Sequence, residues 1–236
     1  MNGRVRRVAV VLLLTATACG GRGGGDGEDA RPAAPPSAGG AAAPGGDQGL
    51  ADRANLRLSD FPPEWKASPV PAAATAASDE SDRTFADCMR RPRPEEVRTA
   101  RASSEDFSAE ETRRASSNVQ VVRTVEIARD DFAALRTDKA LECRKAQIDA
   151  EFRRQVPDAV PQTTLERLDL PQFGDQSAAF RVIAVGRVQG QEVRTYIDLA
   201  FVQKSRAELS AAFINRTAPF PADLERSLLQ RMVGRA

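Results

Sequence analysis

The sequence predicts an α+β fold, in which an antiparallel sheet of about five to six strands has helices packed on one face. Three observations lead to it. Alternating apolar residues mark strands, and tight turns between the later strands require antiparallel neighbours. Apolar residues three or four positions apart mark helices. Each helix has one apolar stripe, which needs a sheet face to cover it.

The first half of the folded region predicts two strands followed by two helices, after a short helical turn that carries Cys88. Alternation of Val119, Val121 and Val125 supports the second strand. The predicted elements are the helical turn over 81–90, strands over 97–107 and 117–127, a helix that begins at Asp130–Asp131, and a helix from Asp138 to about Gln155.

The second half predicts a meander of strands and a last helix. The predicted strands cover 165–170, 178–188, 193–202 and 208–214, with tight turns over 189–191 and 204–206. Pro221 suits the first turn of the last helix. In that helix Leu224, Leu228 and Met232 fall on one face, at spacings of four.

The N-terminus predicts an export signal over residues 1–18. Three arginines precede the apolar run Val8 to Leu14, and small residues then lead to Cys19. A cysteine at this place is typical of a lipobox, so Cys19 is predicted to carry a lipid anchor. Ordinary cleavage after Ala16-Thr17-Ala18 is the alternative and would release a soluble protein. A third interpretation is that the signal is retained as a membrane anchor, although its apolar run is shorter than the roughly 20 residues that span a bilayer.

Residues 19–49 are predicted to form the anchor cysteine and a disordered linker, and residues 50–236 a single α+β domain. From Gly20 to Gly49 the chain is mostly Gly, Ala, Pro and Asp. Such a segment buries too little apolar surface to offset the entropy of ordering it. The domain is thus predicted to stand away from the membrane on a tether.

Cys88 and Cys143 are predicted to form a disulfide. The chain has three cysteines, and acylation of Cys19 leaves an even pair in an exported protein, where disulfides persist. The loop of roughly 56 residues would contribute about 4 kcal/mol in the chain-entropy model. Two buried free thiols are the alternative.

Composition argues against catalysis, a cofactor, a metal and nucleic acid. The sequence has no histidine, which removes Ser-His-Asp triads and nearly every catalytic zinc site. Without the signal, 31 basic residues face 33 acidic ones, so no basic surface for nucleic acid is indicated.

Tyr196 and Asp198 are the candidate ligand contacts. Asp198 interrupts an apolar strand and shares a strand face with Tyr196, so an open sheet face could bind a ligand there. The alternative is simple alternation, with that face in water. A pair of carboxylates acting as in glycosidases is also conceivable, because acidic residues are abundant.

The layout resembles actinobacterial cell-envelope lipoproteins. It combines the signal with its cysteine, the Gly/Pro linker, Phe61-Pro62-Pro63-Glu64-Trp65, the paired cysteines and Ala218-Pro219-Phe220-Pro221 before the last helix. It is more distantly similar to the extracellular sensor domains of mycobacterial-type Ser/Thr kinases. That resemblance implies helices over an antiparallel sheet and a cleft for a ligand, with no catalytic residues to transfer.

We therefore expect a lipid-anchored, non-catalytic binding or sensor-like domain on the outer face of the cytoplasmic membrane. Its partners would be the membrane and an envelope ligand or protein, and it would be a monomer. Two alternatives remain: a hydrolase that acts on envelope glycan or lipid through carboxylates, and a structural adaptor in an envelope complex.

Overall fold

The structure is a computed structural model that describes residues 46–155, 162–188 and 191–236. The signal, Cys19, the linker up to residue 45 and the turn at 189–190 lie outside these ranges. The helices are α1 Gly46–Ala54, α2 Ala72–Met89, α3 Pro94–Val97, α4 Val125–Leu135, α5 Asp138–Gln155 and α6 Ala222–Arg235. The strands are β1 Lys66–Ser68, β2 Arg98–Ser103, β3 Asp106–Ala109, β4 Arg113–Val122, β5 Gln162–Leu168, β6 Gln176–Val188, β7 Gln191–Lys204 and β8 Ala207–Asn215.

These strands form one antiparallel sheet of eight strands, so the α+β prediction is confirmed and the predicted strand number is too small. The order is β1-β3-β4-β8-β7-β6-β5, and β2 also pairs with β4. The predicted strand over 97–107 divides at Ser104 into β2 and β3. The Ser104 hydroxyl accepts a hydrogen bond from the Ser117 amide at 2.8 Å, so a side chain interrupts the ladder there. The short β1 was not predicted.

Helices cover both faces of the sheet, which corrects the expectation of a single covered face. Leu209, Ala211 and Phe213 of β8 share a core with α1 and α6. The alternate residues Ala212 and Ile214 pack with α5 on the opposite face. From Ala211 to Ile214 the strand is apolar on both faces, and a run of this kind is typical of a strand that is buried on both sides.

We name the two faces by what covers them. The closed face carries residues 209, 211 and 213 of β8 and lies under α1 and α6. The cavity face carries residues 208, 210, 212 and 214. Helices α2, α4 and α5 stand over that face, and α2 packs on α5.

The second predicted strand ends earlier than expected, because a helix cap intervenes. The structure ends β4 at Val122, and Thr124 caps α4 by accepting a hydrogen bond from the Ile127 amide at 3.2 Å. Val125 and Ile127, which continue the alternation in sequence, are therefore helical and only half-buried. A threonine N-cap satisfies an amide that the helix itself leaves unpaired.

Helices α1 and α2 extend beyond their predicted regions. Helix α1 begins at Gly46, so the last four residues of the predicted linker are helical. Helix α2 begins directly after Pro71, nine residues before the predicted turn at Ser81. None of the helices in the described ranges is long and apolar enough to cross a membrane.

Candidate ligand cavity

A cavity of about 280 Å³ lies between the cavity face and the helices above it. The strands β2, β4, β8, β7 and β6 form its floor, and α2, α4 and α5 form its walls. Its volume is close to the lower end of the usual range for ligand pockets. Apolar and polar side chains line it in separate regions, which is its main chemical feature.

The floor is polar on one side, where side chains align across three strands. Ser103, Asn118 and Ser210 are direct cross-strand partners on β2, β4 and β8. The neighbouring row is Arg101, Gln120 and Glu208. Opposite residues in antiparallel strands have Cβ atoms about 5 Å apart, so the two rows make one continuous polar strip.

The other side of the floor is apolar. It consists of Val182, Ile197, Leu199 and Phe201 on β6 and β7, and Ile148 of α5 lies against it. Phe201 is the cross-strand partner of Ser210, so the polar strip borders directly on the apolar part. A molecule that filled the cavity would meet both environments.

Ion pairs and a cysteine pair hold α2 over the cavity. The Arg101 guanidinium donates to Asp79 Oδ1 at 2.7 Å and to Asp82 Oδ2 at 3.0 Å, both on α2. Gln147 of α5 donates to Ser81 of α2. Cys88 of α2 and Cys143 of α5 lie within disulfide-bonding distance, with Cα atoms 6.0 Å apart. Helix α2 is thus tied to both the sheet and α5.

Arg144 of α5 lines the cavity and stacks on aromatic rings. Its guanidinium carbon lies 4.1 Å from the centre of the Phe85 ring and 5.8 Å from that of Phe201. It also donates to Gln147 Oε1 at 2.8 Å. Burial lowers the pKa of Arg144, against the opposing charge of Asp82. Stacking on aromatic faces offsets part of the cost of this burial.

Glu208 presents an uncharged carboxyl group to the cavity at neutral pH. Burial, and secondarily the charge of Asp131, raises its pKa to about 8. Its Oε2 atom accepts a hydrogen bond from Gln120 Nε2 at 2.5 Å. Its Oε1 atom is buried without a partner among the described residues. Because Oε2 already accepts, the proton belongs on Oε1, which then becomes a free donor.

Arg101 provides a second buried donor. Its side chain is only 8% exposed, and its Nε atom has no hydrogen-bond partner within the described ranges. Both Nη atoms are engaged by aspartates of α2. Buried polar groups are nearly always satisfied in native proteins, so each exception needs an explanation.

Other carboxylates also reach the cavity. Burial raises the pKa of Asp82 although Arg101 opposes it, and burial raises that of Asp106. Asp131 accepts from Arg91 Nη2 at 2.5 Å. Glu151 lines the wall contributed by α5. The cavity therefore contains several carboxyl groups in different protonation environments.

The predicted ligand contacts lie elsewhere. Asp198 has no exposed surface and accepts from Arg181 Nε and Nη2 at 2.6 and 2.7 Å. It belongs to the closed face, and its charge helps to raise the pKa of Glu225 on α6. Tyr196 is half-buried. The open face proposed for this pair is covered by α6, so Asp198 has no surface for a ligand.

Sequence reasoning missed the residues that form the cavity. Arg101, Gln120, Glu208 and Arg144 came from segments assigned only as strands or as the exposed face of a helix. A signal was present, because polar residues alternate with apolar ones along both β4 and β8. Only the pairing of these strands shows that the polar positions are neighbours.

The described residues hold neither a metal site nor an extended apolar patch. Within residues 46–155, 162–188 and 191–236, no group of three or more Cys, Asp or Glu side chains could hold a metal ion. The large apolar side chains exposed in the same ranges are Leu58 and Val193, too few to form an extended apolar patch. The comparisons of this chain with protein-family models, curated proteins and solved structures found no match.

Proposed function

We propose that the chain is a lipid-anchored binding or sensor-like domain of the cell envelope, which holds a ligand in the cavity without transforming it. The cavity supports the binding role, because it places unpaired buried donors beside an apolar wall. Pockets of this kind, mostly apolar with a few polar groups, are typical ligand sites. The resemblance to envelope lipoproteins and kinase sensor domains supports the same role.

Binding can be tested with a neutral, apolar fluorescent dye, N-phenyl-1-naphthylamine. Ala134 of α4 is half-buried and lines the cavity, whereas its neighbour Ala133 is exposed. We expect one bound molecule per chain, and at least tenfold weaker binding in Ala134→Trp, because the new ring fills the cavity. Ala133→Trp is the matched control and should bind as the original chain does. Equal binding by both variants would contradict the proposal.

The location rests on Cys19. In a lipoprotein-competent actinobacterial host, we expect the intact mass to include a diacylglyceryl-sized adduct and the protein to partition with membranes. Cys19→Ala should lose both properties. If the original chain is found unmodified in the medium, the protein is secreted and the anchored role is excluded.

A hydrolase is the second candidate, and the pair Glu208 and Asp131 favours it. One carboxyl group is protonated at neutral pH, and the other is close enough to raise its pKa. Acid and base roles in glycosidases are divided between two such groups. Asp131 is engaged by Arg91, which leaves it less free to act as a base. Release of octanoate from 1-octanoylglycerol, lost in Glu208→Gln, would favour the hydrolase.

A further inference from the structure

We propose that the cavity ligand is a neutral amphiphile, with an alkyl or acyl chain and a head that carries uncharged ester, carbonyl or hydroxyl oxygens. This inference rests on the proposed function, because it names the occupant of the same cavity. It follows from three properties of the lining: an apolar end, unpaired donors at the polar end, and charges that are already compensated.

The apolar end fits a short hydrocarbon chain. Val182, Ile197, Leu199 and Phe201 form its floor, and Ile148 lies beside them. The cavity of about 280 Å³ is close to the lower end of the usual range for ligand pockets. It therefore suits a short alkyl or acyl chain, with its head towards the polar strip.

The polar end of the cavity suits a ligand head that carries hydrogen-bond acceptors. Arg101 Nε and Glu208 Oε1 are buried without partners among the residues described, and both are donors when Glu208 is protonated. An unsatisfied buried donor is destabilising. Ester, carbonyl and hydroxyl oxygens are acceptors that would satisfy both donors, since Gln120 already occupies the Oε2 atom of Glu208.

The charges favour a head without net charge. The Arg101 charge is matched by Asp79 and Asp82, and Arg91 is paired with Asp131. The half-buried Arg144 faces the charge of Asp82 and donates a hydrogen bond to Gln147. An anionic head would approach these aspartates, and a cationic head would approach the arginines. A charge left without a partner in a partly buried site is costly. Neutral oxygens of the head would accept from these donors without this cost.

Calorimetry with four probes on the mature chain tests the ligand class. The probes are 1-octanoylglycerol, octanoate, octylamine and glycerol, which separate chain, charge and head. At pH 6.5 we expect 1-octanoylglycerol to bind at least tenfold more tightly than octanoate or octylamine, and glycerol not to bind. Equal or tighter binding of either charged probe would overturn this inference and leave the proposed function standing. If neither the octyl probes nor N-phenyl-1-naphthylamine bind, both proposals fail.

Glu208 variants test the head contact. Glu208 faces Gln120 on β4, Asp131 on α4 and Arg91 between α2 and α3. We expect affinity for 1-octanoylglycerol to fall by up to about tenfold between pH 6.5 and 9, as Glu208, with a pKa of about 8, loses its donor proton. Glu208→Gln keeps an uncharged donor, so this variant should bind 1-octanoylglycerol with equal affinity at pH 6.5 and pH 9. Glu225→Gln, which changes a residue on the closed face, should show the same loss of affinity with rising pH as the original chain. Binding by the original chain that is independent of pH would overturn the proposed contact.

Discussion

The two faces of the sheet are built differently, although β8 contributes alternate residues to both. On the closed face, Leu228, Leu229 and Met232 of α6 are at most 1% exposed and pack against β8. On the cavity face, ion pairs join α2 to the sheet, a cysteine pair joins it to α5, and a cavity lies beneath it. The closed face is packed for stability. The cavity face leaves apolar surface and polar donors unfilled, which is the arrangement expected of a binding face.

The largest expected effect comes from the cysteine pair, which joins α2 to α5 over the cavity face. Cys88 and Cys143 are 55 positions apart, so removing both as serines should lower the free energy of unfolding by about 4 kcal/mol. Urea denaturation measures this. Hydrogen exchange should accelerate most in α2, and less in α1 and α6, which respond only to the loss of global stability. Equal acceleration in all three helices would show that the faces are not independent.

Leucine truncations on each face compare their packing directly. Leu228 is fully buried on the closed face, and Leu199 is 7% exposed beside the cavity. Leu→Ala costs about 2–5 kcal/mol, rising with the size of the void that is left. We expect Leu228→Ala near the middle of this range and Leu199→Ala near the lower end, because Leu199 already borders empty space. Urea denaturation of both variants should show this order, and a larger loss for Leu199→Ala would contradict it.

A buried glutamate on the closed face gives the smallest effect, seen as pH dependence. Burial, aided by the charge of Asp198, raises the pKa of Glu225 from 4.5 to about 7. The folded state therefore holds this proton at pH values where the unfolded chain has lost it. The contribution to stability is fully present below pH 4.5, falls as pH rises to about 7, and is constant above.

Glu225→Gln removes this titration. In thermal denaturation, the free energy of unfolding of this variant should fall less between pH 4.5 and 8 than that of the original chain. The difference between the two falls should be at most about 3 kcal/mol. Binding in the cavity should be unaffected, because Glu225 lies on the opposite face. An unchanged pH slope would mean that Glu225 titrates normally when folded.

Local patterns predicted most of the meander and the last helix, because their signals are short-range. The strands β6, β7 and β8 alternate clearly, and Pro221 marks the start of α6. The predicted strand over 117–127 ran too far, since Val125 and Ile127 continue the alternation although Thr124 caps a helix. The capping oxygen overrides the pattern at this point.

The cavity was beyond sequence reasoning, because strand pairing and helix placement create it. Arg101, Gln120 and Glu208 are separated by 19 and 88 positions and become neighbours only through pairing with β4. Asp198 misled for the same reason. Its polar side chain in an apolar strand indicated a sheet face open to water. In the structure Asp198 instead forms an ion pair with Arg181 beneath α6.

The central claim is that the cavity face binds the ligand and the closed face does not. Titration of the isotope-labelled protein with 1-octanoylglycerol, followed by amide NMR shifts, tests it most directly. We predict shifts at residues 116–120 and 208–212 and along α2, with α6 unchanged. Shifts confined to α1 and α6, or none at saturating probe, would contradict the account.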